Sequence, residues 1–508
     1  MPRHWGRLGL ALVVAALAAA IPVTAWSVIT RRANARTAPA PAPSTVERPV
    51  DARRRADFAA MQAFRPGYAF WQHIFTMPDH SVAFGSAVDG RLLATFPAKG
   101  DWMRKAVWAD PTIDRILDGQ QLGRKLSDRR EQVALLLELA AGPVVHNRTR
   151  GDALRMNADR YGSFLEDWGA IYERFGVPAE IGLAQVILES GLSPTRRSEA
   201  NAVGFCQWLQ RNWKRLNHFS PTPIDGRNQT TQAPYCAAYL SVLATKYGSF
   251  IPALSEHNAG GTNVGRTLIT GEPLGATDVR ERYFLGSRLA RDLRALPGRD
   301  YEDVHKSYGP RSYLYAEMVF GNTFNVTRLI ASTPQTPIDA MRVPRSISLA
   351  EIIERTGLPA DEVRRFNPAL VERVPAHTTL YLPGYVSEFG PDVAFWRRPA
   401  SPSYVAVLDD FMRLDSGPEQ WDDPAFAPVL EKFKRRFRET NTEEGVVMET
   451  VLAYAMDQAY ASPRRTLLSE YRNSEKVRWL IERGVLQLDA LRNSRALGIA
   501  PATVLTPE

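Results

Sequence analysis

Apolar residues recur at helical spacing through most of the chain, and segments 129–139, 158–175, 402–414, 424–439, 444–460 and 477–491 predict amphipathic helices. Two short stretches, 81–84 and 92–96 around Asp89-Gly90, predict a strand pair within an otherwise mostly helical region from residue 51 to 164. One run, Ile181-Gly182-Leu183-Ala184-Gln185-Val186-Ile187-Leu188, is apolar on nearly every face. It opens with Pro178 in a first helical turn and stops before Gly191 and Pro194, which puts Glu189 at or near a helix C-terminus. A carboxylate is disfavoured there. The negative end of the helix dipole and the apolar neighbours both raise its pKa, which suits a general acid that must hold its proton near neutrality.

Residues 8–29 carry no charge and follow Arg3 and Arg7, so residues 1–36 read as a signal peptide or a membrane anchor. Val23-Thr24-Ala25 offers a cleavage site, while the apolar length and Arg31-Arg32 favour a retained anchor. Either reading predicts export to the periplasm or cell envelope, with association to the cytoplasmic or outer membrane. No Cys lies near this segment, which excludes a lipid-modified N-terminal Cys. Residues 37–50, with Pro39, Pro41, Pro43 and Pro49, predict an extended spacer.

At 508 residues the chain is long enough for about three domains, and a net charge of +8 suits a polyanionic partner. Nucleic acid is not expected, because there is no zinc-finger spacing, phosphate loop or RNA-recognition aromatic signature. The eight His residues are scattered without a metal-ligand pair at helical spacing, so neither metal nor cofactor is predicted. The two cysteines, Cys206 and Cys236, either close a disulfide in an oxidising compartment or are two small buried apolar residues. No activating base marks either as a nucleophile.

Three further segments give Glu189-Ser190-Gly191-Leu192-Ser193-Pro194 a context: Ala202-Val203-Gly204-Phe205-Cys206-Gln207-Trp208, Ser255-Glu256-His257-Asn258-Ala259-Gly260-Gly261, and Tyr315 within Arg311-Ser312-Tyr313-Leu314-Tyr315-Ala316-Glu317. Their order and spacing resemble lytic transglycosylases, over about residues 165–335, with the soluble-transglycosylase catalytic domain of the glycoside hydrolase family 23 kind. Asp225-Gly226-Arg227 and Ala237-Ala238-Tyr239-Leu240 are similar to the membrane-bound D type. Phe70-Trp71-Gln72-His73-Ile74-Phe75 resembles a pre-catalytic segment of those relatives, and an aromatic core cluster is the preferred reading of it.

The resemblance implies a lysozyme-like helical domain acting on peptidoglycan glycan strands. Glu189 would protonate the glycosidic oxygen between N-acetylmuramic acid and N-acetylglucosamine, then act as base on the muramoyl 6-hydroxyl, which closes a 1,6-anhydro ring. Ser190, Gln207 and Asn258 would hold substrate, Gly204 would let the backbone pass close to the glycan, and Tyr315, with Tyr313 as rival, would orient Glu189 or the sugar. Only Glu189 has a motif-level claim as an acid. Glu199 and Asp225 are alternatives for a second carboxylate in a water-using muramidase, and a catalytically inactive wall-binding scaffold is a third reading. His257 stands where Tyr is common and Cys206 where a large apolar residue is usual, departures that suggest an altered subsite or lowered activity.

Residues 343–386 contain Leu349, Ile352 and Ile353 at helical spacing, Phe366-Asn367-Pro368 and Leu382-Pro383-Gly384, and resemble one LysM module, a strand-helix-helix-strand unit that binds N-acetylglucosamine polymers. Residues 387–508 predict a charged helical tail that packs on the catalytic domain or binds a protein partner. The expected fold class is therefore mainly α: a lysozyme-like helical catalytic domain, a helical N-terminal extension, a small α+β LysM-like module and a helical C-terminal tail.

Overall fold

The computed structural model describes residues 47–295, 314–386, 394–414 and 417–460. The N-terminal apolar segment at 8–29, Tyr313 and the helix expected at 477–491 lie outside them. Among the described residues no helix is long and apolar enough to cross a membrane. The fold is mainly helical.

Helix α1 (Pro49–Phe64) leads into a small antiparallel sheet of β1 (Ser81–Ser86), β2 (Leu92–Pro97), β3 (Val107–Trp108) and β4 (Val144–Arg148), in the order β3-β2-β1-β4. The expected strand pair is present, with Val82 opposite Phe96 and Phe84 opposite Ala94. Two more strands join it. Neither could be read locally, since β3 has two residues and β4 is half-buried up to an exposed Arg148, with no alternation for a pattern to catch. Helix α2 (Leu126–Ala141) covers the sheet through Val133 and Leu137, which pack with Phe84, Phe96 and Trp102.

Helices α3 (Asp152–Tyr161) and α4 (Leu165–Arg174) divide the single helical stretch expected over 158–175, because the chain tightens into a 3-10 turn at Gly162–Phe164. The apolar run is α5 (Ala179–Ser190), in which ten of twelve residues are buried. It packs against α4 so closely that a Cβ at Gly182 would stand 2.0 Å from the Tyr172 ring. A short hairpin of β5 (Ala202–Val203) and β6 (Trp208–Leu209) follows, then α6 (Gln210–Phe219), α7 (Gln229–Tyr247), α8 (Phe250–Ala259), α9 (Gly261–Gly271) and α10 (Val279–Ala295). Helix α11 (Tyr315–Ser332) returns along α5 and α8.

The Phe70–Phe75 stretch is an aromatic core cluster that also positions α11. Phe70, Trp71, Ile74 and Phe75 are buried. The indole N–H of Trp71 donates to Glu317 at 2.8 Å, and Arg65 pairs with the same carboxylate at 3.3 Å. Helix α1 is held in turn by Asp57, fully buried, which accepts from the Ser249 hydroxyl at 2.7 Å and the Phe250 amide at 2.6 Å at the start of α8.

Past α11 come β7 (Ile338–Arg342), β8 (Ile347–Ser348), α12 (Leu349–Thr356), α13 (Ala360–Phe366), β9 (Arg373–Val374) and β10 (Thr379–Pro383). The outer strands β7 and β10 pair antiparallel around two helices, over a core that includes Ile352, Val363 and Leu380. This strand-helix-helix-strand unit begins at Ile338, before the boundary expected at 343, because β7 becomes recognisable only through its pairing with β10. It is seated on the helical core: the hydroxyls of Tyr381 and Thr231 lie 3.0 Å apart, Arg365 donates to the Ser163 hydroxyl at 2.8 Å, and the Phe164 and Phe366 rings meet at 4.6 Å.

The tail helices α14 (Pro402–Met412), α15 (Ala427–Glu439) and α16 (Glu443–Tyr460) pack on the same core. Tyr404 donates to the Arg174 carbonyl at 3.0 Å, Arg174 pairs with Glu444 at 3.4 Å, and Asp457 accepts from Arg215. Of the two roles open to the tail, packing holds for these residues. The α4–α5 contact leaves no room for a methyl group, so Gly182→Ala should destabilise the fold by about 1–3 kcal/mol through overpacking against Tyr172. A lowered urea midpoint with unchanged slope is the expected measurement.

Candidate active site

Glu189 is the penultimate residue of α5, whose end is capped by Gly191 in the left-handed conformation at φ +57°. Its side chain is 16% exposed. The Tyr315 hydroxyl, from the first residue of α11, donates to Oε1, which leaves Oε2 without a partner among the described residues. Burial pushes the carboxyl up to about 7, and the Tyr315 hydrogen bond pulls against that rise. The group therefore keeps its proton up to neutrality. Burial and the adjoining carboxyl hold the Tyr315 hydroxyl well above the usual tyrosine range, so it remains a donor.

His257, on α8, is the third member of the cluster. Its Nε2 lies 2.9 Å from the Cys206 carbonyl oxygen and 3.7 Å from Glu189 Oε1, and its ring lies nearly parallel to that of Tyr315. A carbonyl only accepts, so Nε2 carries the proton and the tautomer is set. Burial drives the imidazole down to about 4, while the carbonyl bond raises it. Two ionisable groups in contact are thus both neutral between about 4 and 7. Charging either one alone would place an unsolvated charge in the pocket.

The Cys206 carbonyl is fixed by its own residue's side chain, for Cys206 and Cys236 are joined in a disulfide with Cα atoms 6.2 Å apart. This ties the hairpin loop to α7. Gln232 ties it again, its Oε1 accepting the Phe205 amide at 2.7 Å, and it is this side chain that Gly204 accommodates: at φ +84° a Cβ would stand 2.1 Å from Gln232 Oε1.

The remaining candidates are placed as follows. The Ser190 hydroxyl is buried and donates back to the Val186 carbonyl at 3.1 Å. Gln207, at φ +51°, donates its amide to the Arg196 and Gly204 carbonyls at 2.9 and 3.0 Å, and so braces the loop. Asn258 is exposed next to His257. None of Ser190, Gly204, Gln207 and Asn258 hydrogen-bonds to Glu189 among the described residues. Glu199 and Asp225 are both exposed, and Asp225 accepts the Arg227 amide at 2.9 Å within its own turn. Among the described residues no cluster of three or more His, Cys, Asp or Glu side chains is arranged to hold a metal ion.

Sequence reasoning passed over Gln185. It is fully buried one turn before Glu189 on the same face, its Nε2 makes no hydrogen bond among the described residues, and its signal was a lone amide in an otherwise apolar run. It also assigned no role to the aromatic side chains beyond the loop. Tyr239 lies between His257 and Trp208, and Tyr454 from the tail stacks on Trp208 at 5.5 Å. No protein-family model matches the chain, and a search of curated proteins finds no match.

Below pH 4.5, the ordinary value for Glu, the Glu189 carboxyl is protonated folded or unfolded. Between 4.5 and about 7 only the folded chain keeps the proton, so this group's contribution to stability falls as pH rises. His257 acts with the opposite sign between 6.5 and about 4, where the unfolded chain binds the extra proton and stability rises with pH. Glu189→Gln removes only the first effect. Its melting temperature relative to wild type should climb from pH 4.5 to 7 and then level off, a gain on the order of 2–3 kcal/mol at the plateau.

Reducing the disulfide opens a loop with a sequence separation of 30 and should destabilise the fold by about 3 kcal/mol on loop-entropy grounds. Thermal melts with and without reductant measure it. The Cys206→Ala/Cys236→Ala variant should be insensitive to reductant.

Proposed function

We propose that this chain is a peptidoglycan lytic transglycosylase that cleaves the β-1,4 bond between N-acetylmuramic acid and N-acetylglucosamine and leaves 1,6-anhydromuramoyl ends. One observation carries the reading: Glu189 is a buried, neutral-range carboxyl held by Tyr315, and burial and Tyr315 account for its shift with no contribution from a second carboxylate among the described residues.

A glycosidase that uses water needs two carboxyl groups across the scissile bond, at about 5–5.5 Å for retention or about 6.5–9.5 Å for inversion. A second carboxylate that close to a buried Glu189 would raise its pKa further by like-charge repulsion. The lone acid instead supports a reaction in which the substrate supplies the nucleophile. Glu189 protonates the leaving glycosidic oxygen, and the resulting carboxylate takes the proton of the muramoyl 6-hydroxyl as that oxygen closes on the anomeric carbon. The intramolecular attack has an effective molarity that stands in for a second protein group. Tyr315 keeps one carboxyl oxygen occupied, so the other presents the proton, and it stays to stabilise the carboxylate once the proton has left.

The same reading takes the helices around Glu189 as a lysozyme-like domain and the Ile338–Pro383 unit as a LysM-like glycan-binding module. Export to the cell envelope with an N-terminal anchor belongs to the proposal as well, supported by the apolar 8–29 segment and by the Cys206–Cys236 bond, which suits an oxidising compartment.

Digestion of purified peptidoglycan followed by mass spectrometry tests it. Wild type should release muropeptides lighter by one water than those of a hydrolase, and Glu189→Gln should lose at least about a thousandfold in rate, an acid-base contribution of ordinary size. The rate should fall above pH 7 as the acid loses its proton. Fully hydrated products would sink the anhydro mechanism, and undiminished release by the Gln variant would sink the enzyme.

A further inference from the structure

A concavity with a volume of about 970 Å³ is lined in part by residues 194–197 of the loop that follows Glu189. Arg196 and Arg197 from that loop, Lys214 from α6 and Arg227 from the turn before α7 line it, against a single carboxylate, Asp225. Asp225 is engaged with the Arg227 amide, and none of the four cations forms an ion pair with a described residue. Their neighbour Arg215, outside the cavity, is paired with Asp457. Much of the remaining lining is apolar, with Trp213 fixed by its indole N–H on the Val203 carbonyl at 3.1 Å, and Ala369 of the strand-helix-helix-strand unit reaches the same space.

Four like charges converging on one hollow repel each other until an anion arrives. Three of them are guanidinium groups, whose planar fork matches carboxylates in pairs. The apolar part of the lining suits small aliphatic side chains better than the fully hydrated shell of a polyphosphate. Along the chain the cavity lining leads to the candidate active site: residues 194–197 follow the helix that carries Glu189, and past Val203 the Cys206 carbonyl holds His257 beside Glu189. A ligand here is therefore well placed to be a substituent of the molecule that Glu189 acts on.

We propose that this cavity binds the carboxylates of the short acidic stem peptide carried by the glycan strand, so that cleavage near Glu189 is favoured on peptide-bearing sugars. The identity of the ligand rests on the transglycosylase reading, whereas the cation cluster does not.

The test is titration calorimetry of the full-length protein at low salt with the isolated peptide Ala-γ-Glu-diaminopimelate-Ala, compared with the same peptide carrying amidated carboxyl groups. Wild type and Glu189→Gln should bind the acidic peptide alike. Arg196→Gln/Arg227→Gln should weaken it by roughly tenfold or more, with Lys214→Glu acting in the same direction, since each removes a charged partner of a carboxylate. The amidated peptide should bind no better to wild type than to the double variant. Arg196, Lys214 and Arg227 are exposed, so the fold should survive each change there, which circular dichroism verifies. Equal binding by wild type and the double variant overturns the proposal, as does binding of inorganic phosphate or an oligonucleotide in place of the peptide. Cation-dependent peptide binding by a protein that releases no glycan leaves the cavity standing and removes the enzyme. Glu189-dependent release without cation-dependent binding does the reverse.

Discussion

Burial of one carboxyl group against one hydroxyl, Glu189 on Tyr315, is the contact toward which the surrounding structure is organised. Each partner comes from an element that other parts of the chain hold in place. Helix α5 is buried on nearly all sides and pressed onto Tyr172 at Gly182, so the backbone that carries Glu189 is fixed by the core. Tyr315 starts α11, and two residues later Glu317 is fastened by Trp71 and Arg65 from the N-terminal extension. The extension thus acts on the site through the helix that delivers the tyrosine.

Neutrality is the electrostatic consequence. Glu189 is raised to about 7 and His257 lowered to about 4 by the same cause, burial, acting on groups of opposite charge type. An imidazole that charged easily beside Glu189 would draw off its proton and leave an ion pair where an acid is needed. The Cys206 carbonyl, fixed by the disulfide to α7, orients the His257 N–H, so covalent bracing of the loop extends to the proton arrangement around the carboxyl.

The outlying parts meet the core close to this cluster. Tyr454 of the tail stacks on Trp208, which contacts Tyr239 and through it His257. The strand-helix-helix-strand unit rests on α7 and borders the cationic cavity through Ala369.

Local pattern determined much of this molecule. The uninterrupted apolar run required a buried helix, its Pro and Gly punctuation required Glu189 to lie at or near the end of that helix, and burial at a helix end required a raised pKa, all from residues within a dozen positions of one another. The strand pair at Asp89-Gly90 and the amphipathic tail helices through residue 460 were legible for the same reason. Partnerships across the chain were not. That His257 would face Glu189, that Gln207 would brace its own loop and Gly204 make room for Gln232, and that of the two readings open for Cys206 and Cys236 the disulfide would be the one realised, depend on how helices cross, which no local periodicity encodes. Residue types and spacing set what each segment must bury and which groups carry chemistry. Only the packing of distant segments decided which of those groups touch, because side-chain contacts over hundreds of residues follow from the shape of the whole core.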